Sequence, residues 1–308
     1  MFPPVNPNFR LSSALGTSFA QNGFVQLQSF FTRDFVGYIR SKIIDQMATL
    51  SEEQRGFSRI GYDLFRDDPV VTQLLSEPNF AQTLTGLTEH SLFFTQGVGF
   101  ELERNKHHGF PWHIGTQSFG YQRSQDYGCS LWLPLDPIVD KEQGGGMSYV
   151  PEHFVSGQFM YDHVDPAIDH SLCKMDSRGG LTFQDFIELR HGVLNSPAMT
   201  TLFETLCRAD DFAPGDALLF NKRVIHCSNP LRDGPLPSRA AFVMRFVDID
   251  SRYDARRADG LELPRVLFGV PPQSNFHLEV CQQDGERISD SPYFAAPQRH
   301  RLHHPDRR

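Results

Sequence analysis

The sequence lacks the cysteine pattern of small stapled or zinc-bound domains. Its five cysteines include no Cys-x-x-Cys pair, and an odd number cannot all pair within one chain. We therefore expect neither a disulfide framework nor a zinc knuckle, and we expect a reducing compartment such as the cytoplasm. The N-terminus has no basic start followed by an apolar stretch, so no secretory signal peptide is predicted.

Long apolar runs and an excess of positive charge are also missing. No uninterrupted apolar stretch approaches the roughly 20 residues that a membrane-spanning helix needs. The formal net charge is −8 and the pI is about 5.9, so neither nucleic acid nor an anionic membrane is the expected main partner. Phenylalanine is abundant, with 27 residues against two tryptophans, which favours a thick apolar core. The length of 308 residues favours one enzyme-sized domain over 1–308.

The first ninety residues carry mostly helical signals. A helix is predicted over 33–49, because Thr32 is a suitable N-cap and apolar residues follow it at helical spacing. A second helix is predicted over 78–90. The segment 24–31 alternates like a strand, and the charged, glycine-containing segment 51–68 is expected to form a mobile loop or lid.

The hydrophobic pattern of the sequence changes near residue 91. Short apolar or alternating runs follow, separated by Gly, Pro, Asp and Asn, and this pattern is typical of an antiparallel sandwich or barrel with a core over about 91–255. A helical insertion is expected over about 153–207, with helical signal at 181–192 and at 197–208. The basic tail 298–308 is expected to be frayed.

Two histidines and two arginines have a spacing that suggests a metal site. His113 lies at the mouth of a strand-like segment, and His226 follows 113 residues later, at the end of the run DALLFNKRVIH. Arg239 comes thirteen residues after His226, and Arg245 lies six residues further on, so both arginines should face the same side of a regular strand. Only a fold can bring the two histidines together, and a double-stranded β-helix does so.

This order of residues resembles the iron(II)- and 2-oxoglutarate-dependent oxygenases, and more closely their phytanoyl-CoA dioxygenase branch. The likeness rests on HCS at 226–228, on RAA at 239–241, on Trp132 in CSLWLPLD and on the turn GGGMSYVPEH. It implies a mainly β fold with helices: a double-stranded β-helix, or jelly-roll, core with N-terminal helices and a helical lid insertion. It also implies Fe(II), bound by His113 and His226, with 2-oxoglutarate and O2 as co-substrates. Two imidazoles and a carboxylate on one face are the usual ligands of such an iron.

The sequence departs from the oxygenase pattern at Gly115, where the metal-binding carboxylate is expected. In the 2-oxoglutarate halogenases this position is alanine or glycine, and chloride occupies the vacated coordination site. The stretch PWHIGTQSFGYQRSQDYGCSLWLPL is similar to the halogenase domains of the curacin and jamaicamide polyketide assembly lines. Those domains chlorinate an unactivated carbon of a 3-hydroxy-3-methylglutaryl group on an acyl carrier protein. The resemblance implies chloride at Gly115 and Thr116, and an acyl carrier protein with its tethered acyl group as the partner.

The resemblance also assigns roles to four other residues. Arg239 is expected to bind the C5 carboxylate of 2-oxoglutarate, because a buried guanidinium can donate two parallel hydrogen bonds to a carboxylate. Ser228 is expected to add a hydrogen bond to the cosubstrate, and Trp132 to pack along it. Arg245 is expected on the iron–halide side of the pocket and near the cosubstrate. Ser228 is equally well interpreted as an ordinary turn serine, and Trp132 as a core residue.

Other polar residues have weaker signals. His107 and His108 are expected to be exposed or to face the substrate, and Asp126 and Asp136, each in a turn, could in principle replace the missing carboxylate. The cations that could recognise a substrate carboxylate, chosen by position only, are Arg55, Arg59, Lys106 and Arg123.

Three interpretations of the chain stay open. The first is a halogenase. The second is a hydroxylase of the phytanoyl-CoA dioxygenase type that tolerates glycine, with water at the vacant position. The third is a catalytically silent cupin-like binding module. Gly115 has an ordinary interpretation too, because glycine often marks a close approach of two backbones.

Overall fold

The core of the protein consists of two antiparallel β-sheets. The structure, a computed structural model, describes residues 2–49, 57–174, 180–270 and 274–304. The strands are β1 (Phe24–Leu27), β2 (Arg59–Gly61), β3 (Leu92–Glu103), β4 (Gly128–Pro134), β5 (Met147–Tyr149), β6 (Arg208–Ala209), β7 (Ala217–Asn221), β8 (His226–Ser228), β9 (Ser238–Asp248) and β10 (Arg301–Leu302).

The larger sheet has the order β1-β7-β4-β9-β3-β10, and β2 also pairs with β3. The smaller sheet has the order β6-β5-β8. Side chains alternate across β9, so Phe242 and Phe246 face an apolar layer of helices, whereas Ala241 and Val243 face inward and pack in one cluster with Tyr149 of the smaller sheet. The inner face of β9 is therefore the wall of the space between the sheets.

Helices cover the outside of this core. They are α1 (Ser13–Asn22), α2 (Arg33–Met47), α3 (Pro69–Leu75), α4 (Pro78–Thr88), α5 (Thr116–Phe119), α6 (Asp165–Cys173), α7 (Phe183–His191), α8 (Pro197–Leu206), α9 (Ala255–Leu261), α10 (Leu263–Phe268) and α11 (Phe276–Glu279). None of the described helices combines the length and the apolar character that crossing a bilayer requires.

The predicted helices of the N-terminal part and of the insertion are confirmed. The Thr32 hydroxyl accepts a hydrogen bond from the Phe35 amide at 3.3 Å and caps α2, as expected. Within the insertion, α7 and α8 form where helical signal was predicted. Thr182 and Asp185 satisfy each other's backbone amides at the start of α7, which explains why the helix begins there.

Two local predictions were wrong, and one confirmed helix is shorter than predicted. The strand predicted over 24–31 stops at Leu27, because the chain turns at Ser29, whose φ is 51°. The helix predicted over 78–90 ends at Thr88, and Glu89 follows in the left-handed conformation with φ 58°. The tail at 298–304 is not frayed, because its strand β10 pairs with β3.

The predicted lid is only partly covered by the structure. Residues 50–56 lie outside the described residues. Residues 59–61 form β2 and pair with β3, and the Leu64 amide donates to the Gly97 carbonyl at 2.9 Å. This part of the segment is packed against the larger sheet, whereas the sequence predicted a loop.

Candidate functional site

The fold brings His113 and His226 side by side. Their backbones form an isolated antiparallel bridge, in which each amide donates to the other's carbonyl at 2.9 and 3.0 Å. The centroids of the two imidazole rings are 4.2 Å apart, with an angle of 49° between the ring planes. Two side chains that are 113 residues apart in the sequence therefore share one location between the sheets.

Both imidazoles are oriented by the backbone, and in each one nitrogen has no partner among the described residues. Nδ1 of His113 lies 2.8 Å from the Pro111 carbonyl, and Nδ1 of His226 lies 2.9 Å from the Val224 carbonyl. A carbonyl oxygen only accepts, so each Nδ1 carries the proton and each Nε2 presents a lone pair. Burial lowers the pKa of both rings, which keeps them neutral. Neutral imidazoles held in this way are typical metal ligands.

The two rings lie in a recess lined partly by aromatic side chains. The Phe220 ring is 4.8 Å from that of His226, and the Phe110 ring is 5.9 Å from that of His113, measured between centroids. His226 is buried, whereas His113 keeps part of its surface accessible although desolvation lowers its pKa. The site is therefore accessible from the side of His113.

No acidic group joins the two imidazoles. Across residues 2–49, 57–174, 180–270 and 274–304, there is no group of three or more His, Cys, Asp or Glu side chains that could hold a metal ion. The usual oxygenase set of two histidines and one carboxylate is therefore incomplete in the part of the chain that the structure describes.

The structure corrects the expectation that Gly115 leaves an empty volume. Gly115 lies in a turn that begins α5, and its amide donates to the Lys222 carbonyl at 2.9 Å. A Cβ atom placed on Gly115 would lie 2.8 Å from that carbonyl oxygen and 2.9 Å from Cδ2 of Phe119. The glycine is therefore required by a close backbone approach, and the space where its side chain would lie is filled by protein. A carboxylate cannot be placed there unless the backbone moves.

The halide role predicted for Thr116 also needs correction. Its hydroxyl donates its only proton to the carboxylate of Asp165, the first residue of α6. Both residues are buried. The hydroxyl therefore has no proton left for a halide, and it ties the helical insertion to the turn that follows His113.

Arg239 is the least satisfied charge on the inner face of β9. Its side chain is 2% exposed, and it forms no hydrogen bond or ion pair with any described residue; its Nε is buried without a partner. Burial lowers its pKa to about 10, while the nearby Asp136 partly opposes that shift. The guanidinium remains charged at neutral pH, and a buried charge without a partner is costly. This arrangement fits a carboxylate ligand that the protein itself does not supply.

Two of the other three residues of the predicted cosubstrate site, Trp132 and Ser228, lie on the strands around Arg239. The guanidinium carbon of Arg239 is 5.7 Å from the centroid of the Trp132 ring. The Ser228 hydroxyl accepts a hydrogen bond from the Phe110 amide at 2.6 Å, which leaves its own proton available for donation. Ser228 lies two residues beyond His226 on β8 and pairs with Met147. A Cβ atom on Gly145, two residues before Met147, would lie 3.8 Å from Nε of Arg239, so the smaller sheet leads from His226 towards Arg239.

Arg245 occupies the opposite end of the same face. Its six-residue separation from Arg239 along β9 corresponds to about 20 Å. Nη1 of Arg245 donates to Oε1 of Gln96, whereas Nε is buried without a partner. Its charge adds to burial in lowering the pKa of His113, so Arg245 lies on the His113 side of the recess. Gln96 in turn donates to Asp63 at 2.8 Å.

The two aspartates that could replace the missing carboxylate are bound to other parts of the protein. Asp136 accepts hydrogen bonds at 2.8 Å from Nε of Arg40 and from the Ala240 amide. Asp126 accepts from the Arg252 amide at 2.6 Å. Neither residue belongs to a cluster with the two imidazoles, so neither replaces the missing carboxylate.

The remaining candidates are also engaged elsewhere. His107 is buried, contrary to expectation, because its Nδ1 accepts from the Glu103 amide at 2.9 Å; His108 is exposed. Arg55 lies outside the described residues. The other proposed substrate cations each contact a carboxylate: Arg59 with Glu101 at 3.0 Å, Lys106 with Glu103 at 3.3 Å, and Arg123 with Asp284 at 2.7 Å.

Sequence reasoning missed the residues that the insertion brings to the His113 side. Asn195, which follows α7, forms hydrogen bonds with both backbone groups of Trp112, and a proton on His113 would lower the pKa of His191. Gln96 and Asp63 were missed as well. Nothing in the local spacing identifies these residues, because they reach the site only through tertiary contacts.

Comparison with known proteins finds similarity at the level of structure alone. No protein family matches the sequence, and no curated protein matches it either. The epimerase SnoN, solved with Fe3+, alpha ketoglutarate and nogalamycin RO, is 13% identical, with a TM-score of 0.58 over 89% of this chain and 94% of that chain. The non-heme alpha ketoglutarate dependent carbocyclase SnoK from nogalamycin biosynthesis is 14% identical, with a TM-score of 0.55 over 82% and 89%. EctD from S. alaskensis, solved with bound Fe, is 16% identical, with a TM-score of 0.51 over 82% and 84%.

The chain has the double-stranded β-helix fold of these proteins. The fold class predicted from the sequence, mainly β with helices outside a jelly-roll core, is confirmed. Identities of this size establish the fold and leave the reaction to be argued from the site itself.

Proposed function

We propose that the chain is a non-haem Fe(II)- and 2-oxoglutarate-dependent oxidoreductase. The observation that carries this proposal is the pairing of two neutral imidazoles, each with a free Nε2, with a buried guanidinium that has no partner among the described residues. Two metal ligands, together with a guanidinium that can bind a carboxylate, fit an iron site with a dicarboxylate cosubstrate.

Different residues of the site would bind the iron and the cosubstrate. His113 and His226 would bind Fe(II) through Nε2, and the backbone carbonyls of Pro111 and Val224 would keep their rings in place. Arg239 would bind the distal carboxylate of 2-oxoglutarate, with a donated hydrogen bond from Ser228. When bound, iron with 2-oxoglutarate and O2 supplies an oxidant strong enough to remove hydrogen from an unactivated carbon.

Within this class, the absence of a third protein ligand among the described residues favours halogenation. A carboxylate ligand would supply one negative charge, and the described part of the chain offers none beside the imidazoles. A chloride ion can restore that charge without needing the volume of a side chain at Gly115. Arg245, on the His113 side of the recess, adds a positive charge that would attract an anion there.

The proposed substrate is an aliphatic acyl group carried on an acyl carrier protein, of the 3-hydroxy-3-methylglutaryl type, in polyketide or related natural-product biosynthesis. Support for it comes from the sequence resemblance around His113. The carrier would deliver its acyl group to the accessible side of His113.

A hydroxylase is the second candidate, and one observation favours it. Gly115 has a sufficient structural reason to be glycine, since a Cβ would lie 2.8 Å from the Lys222 carbonyl oxygen. Its presence alone therefore does not require a halide, and a water molecule could take the same coordination position.

Halide dependence of the product distinguishes the two candidates. Acyl carrier proteins loaded with candidate acyl groups are incubated with the protein, Fe(II), 2-oxoglutarate and O2, with chloride, with bromide or without halide, and analysed by intact-protein mass spectrometry. A halogenase gives a mass gain that matches the halide supplied. A gain of one oxygen that does not depend on halide identifies a hydroxylase. No gain and no stoichiometric iron identify a silent binding module.

A further inference from the structure

The helical insertion reaches the iron-side recess through one asparagine. The Asn195 side chain accepts a hydrogen bond from the Trp112 amide at 3.0 Å and donates to the Trp112 carbonyl at 2.8 Å. A neighbouring strand would make the same pair of bonds. Asn195 therefore acts as a strand partner for the residue immediately before His113.

The same amide group also holds His191. Nδ2 of Asn195 donates to the His191 carbonyl at 2.9 Å, in addition to the Trp112 carbonyl. His191 is the last residue of α7, so the end of this helix is fixed beside the segment that carries His113. Hydrogen bonds from Asn195 therefore fix the position of the His191 backbone relative to the His113 segment.

The His191 ring has no hydrogen-bond partner among the described residues. Its side chain is partly accessible, yet burial, followed by the charges of His113 and Arg190, lowers its pKa to about 4. The ring is partly accessible, and the hydrogen bonds of Asn195 hold its residue beside the segment that carries His113. At neutral pH the ring offers one donor and one acceptor, and both are unused.

His191 is not a third ligand in this arrangement. The group formed by His113, His226 and His191 does not meet the geometry of a site that could hold a metal, within the residues described. Its backbone is joined to the His113 segment through Asn195, from the side of the insertion.

We infer that His191 lines the substrate side of the recess and forms a hydrogen bond with an oxygen atom of the organic substrate. This inference rests on the proposed function, because it takes His113 as an iron ligand. The chemical class that fits is an acyl group with a hydroxyl, carbonyl or carboxylate oxygen near the reacting carbon. Asn195 is then a positioning residue, which holds the His191 and His113 segments in one geometry.

The location is tested by paramagnetic NMR on the full chain with isotope-labelled histidine. Co(II) is added with 2-oxoglutarate, and ring signals are assigned with single variants. The inference predicts strong shifts or broadening for His113, His226 and His191, and none for His163, an exposed histidine on the same insertion. Unchanged His191 signals beside perturbed His113 signals overturn the inference alone. Unchanged signals for all three overturn the proposed function and this inference with it.

The role is tested by binding of 3-hydroxy-3-methylglutaryl-pantetheine as the probe. His191→Phe keeps a ring without polar atoms, and it should weaken binding about tenfold. His191→Gln keeps a donor and an acceptor, and it should weaken binding less than about threefold. Iron and 2-oxoglutarate binding should be unchanged in both variants. Equal weakening in the two variants, unchanged binding in His191→Phe, loss of iron, or no binding by the unchanged protein would overturn the inference.

Asn195 is tested through the same NMR signals. Asn195→Ala removes all three hydrogen bonds, whereas Asn195→Asp keeps an acceptor for the Trp112 amide only. The Co(II)-induced shift of His191 should fall in Asn195→Ala and partly recover in Asn195→Asp. A variant that is less stable but keeps the His191 shift would overturn the positioning role.

Discussion

The two imidazoles of the site are held in different ways. His226 begins β8, is buried, and has Tyr149 of β5 as its register partner. His113 lies outside the regular strands, at an isolated bridge, with a tight turn at Gly115 after it. Asn195, from the insertion, replaces the strand that would otherwise border Trp112. The sheet alone therefore builds the His226 half of the site, whereas the His113 half depends on the insertion and on one glycine.

This difference shows where the chain can vary its chemistry. The His226 half, with Ser228 and Arg239, carries the parts that fit iron and a dicarboxylate. The His113 half, with Gly115 and His191, carries the parts that would select the anion and the organic substrate. Changes in the two halves should therefore have separable consequences.

Removal of either imidazole should have the largest effect. His113→Ala and His226→Ala should each weaken Fe(II) binding by more than about 100-fold, since loss of a ligand exceeds the usual effect of losing its supporting contacts. His226→Ala should also lower the free energy of unfolding more, because His226 is buried and His113 is partly accessible. Iron stoichiometry and thermal unfolding measure the two effects.

The control for these variants is His163→Ala, which removes an exposed imidazole from the insertion. It should keep its iron and its stability. Full iron occupancy in either His113→Ala or His226→Ala would contradict the ligand assignment.

Substitution of Gly115 tests the His113 half. Every side chain there meets the Lys222 carbonyl, so Gly115→Asp and Gly115→Asn should both lower stability, by about 1–3 kcal/mol. Only the aspartate brings a negative charge, so only Gly115→Asp should abolish halogen transfer. Product mass spectrometry with chloride, iron analysis and thermal unfolding are measured for both variants. Together they distinguish the effect of the aspartate charge from the effect of side-chain volume at residue 115.

Two results would go against this account of Gly115. One is sustained chlorination by Gly115→Asp with iron still bound. The other is equal loss of chlorination in Gly115→Asn, which would make packing, and not charge, the cause.

Replacement of Arg239 tests the His226 half. Arg239→Met should weaken 2-oxoglutarate binding by at least about 30-fold, because the cosubstrate carboxylate loses its charged partner. It should not lower the stability of the protein without cosubstrate, since the Arg239 charge forms no hydrogen bond or ion pair with any described residue. Calorimetric titration and thermal unfolding are the measurements.

Arg190→Met is the matched control for that change. Arg190 is also buried, but it pairs with Asp169, so its removal leaves a buried carboxylate without its cation. Stability should fall by about 3–5 kcal/mol, and 2-oxoglutarate binding should be kept. If Arg239→Met destabilises the protein as much as Arg190→Met does, Arg239 is a structural residue.

Thr116→Val should have the smallest effect. The variant removes the hydroxyl that donates to Asp165 and leaves that buried carboxyl without its partner, so stability should fall by about 1–3 kcal/mol. The halide dependence of the reaction should not change. A lower apparent affinity for chloride with unchanged stability would restore the halide role predicted from the sequence.

The sequence predicted secondary structure correctly where neighbouring residues determine it. Thr32 predicts the start of α2 because an N-cap acts within three residues, and Thr182 caps α7 of the insertion in the same way. The spatial meeting of His113 and His226 followed from the family spacing, because a shared fold fixes which strands become neighbours.

Long-range packing decided what the sequence could not predict. The filled space at Gly115 depends on the Lys222 carbonyl, 107 residues away in the chain, and the Thr116 hydroxyl turns to Asp165 on a helix of the insertion. His191 ends an ordinary helix and Asn195 follows it, and no spacing rule marks them. Their importance arises only when α7 is placed against the His113 segment.

X-ray absorption at the iron edge tests the halide position most directly, since it needs no organic substrate. The protein is loaded with Fe(II) and 2-oxoglutarate, and spectra are recorded with bromide and with no halide. A heavy scatterer in the first coordination shell, present only with bromide and lost in Gly115→Asp, is the predicted result. A first shell of nitrogen and oxygen alone, unchanged by bromide, would contradict the halide site and leave the hydroxylase as the better account.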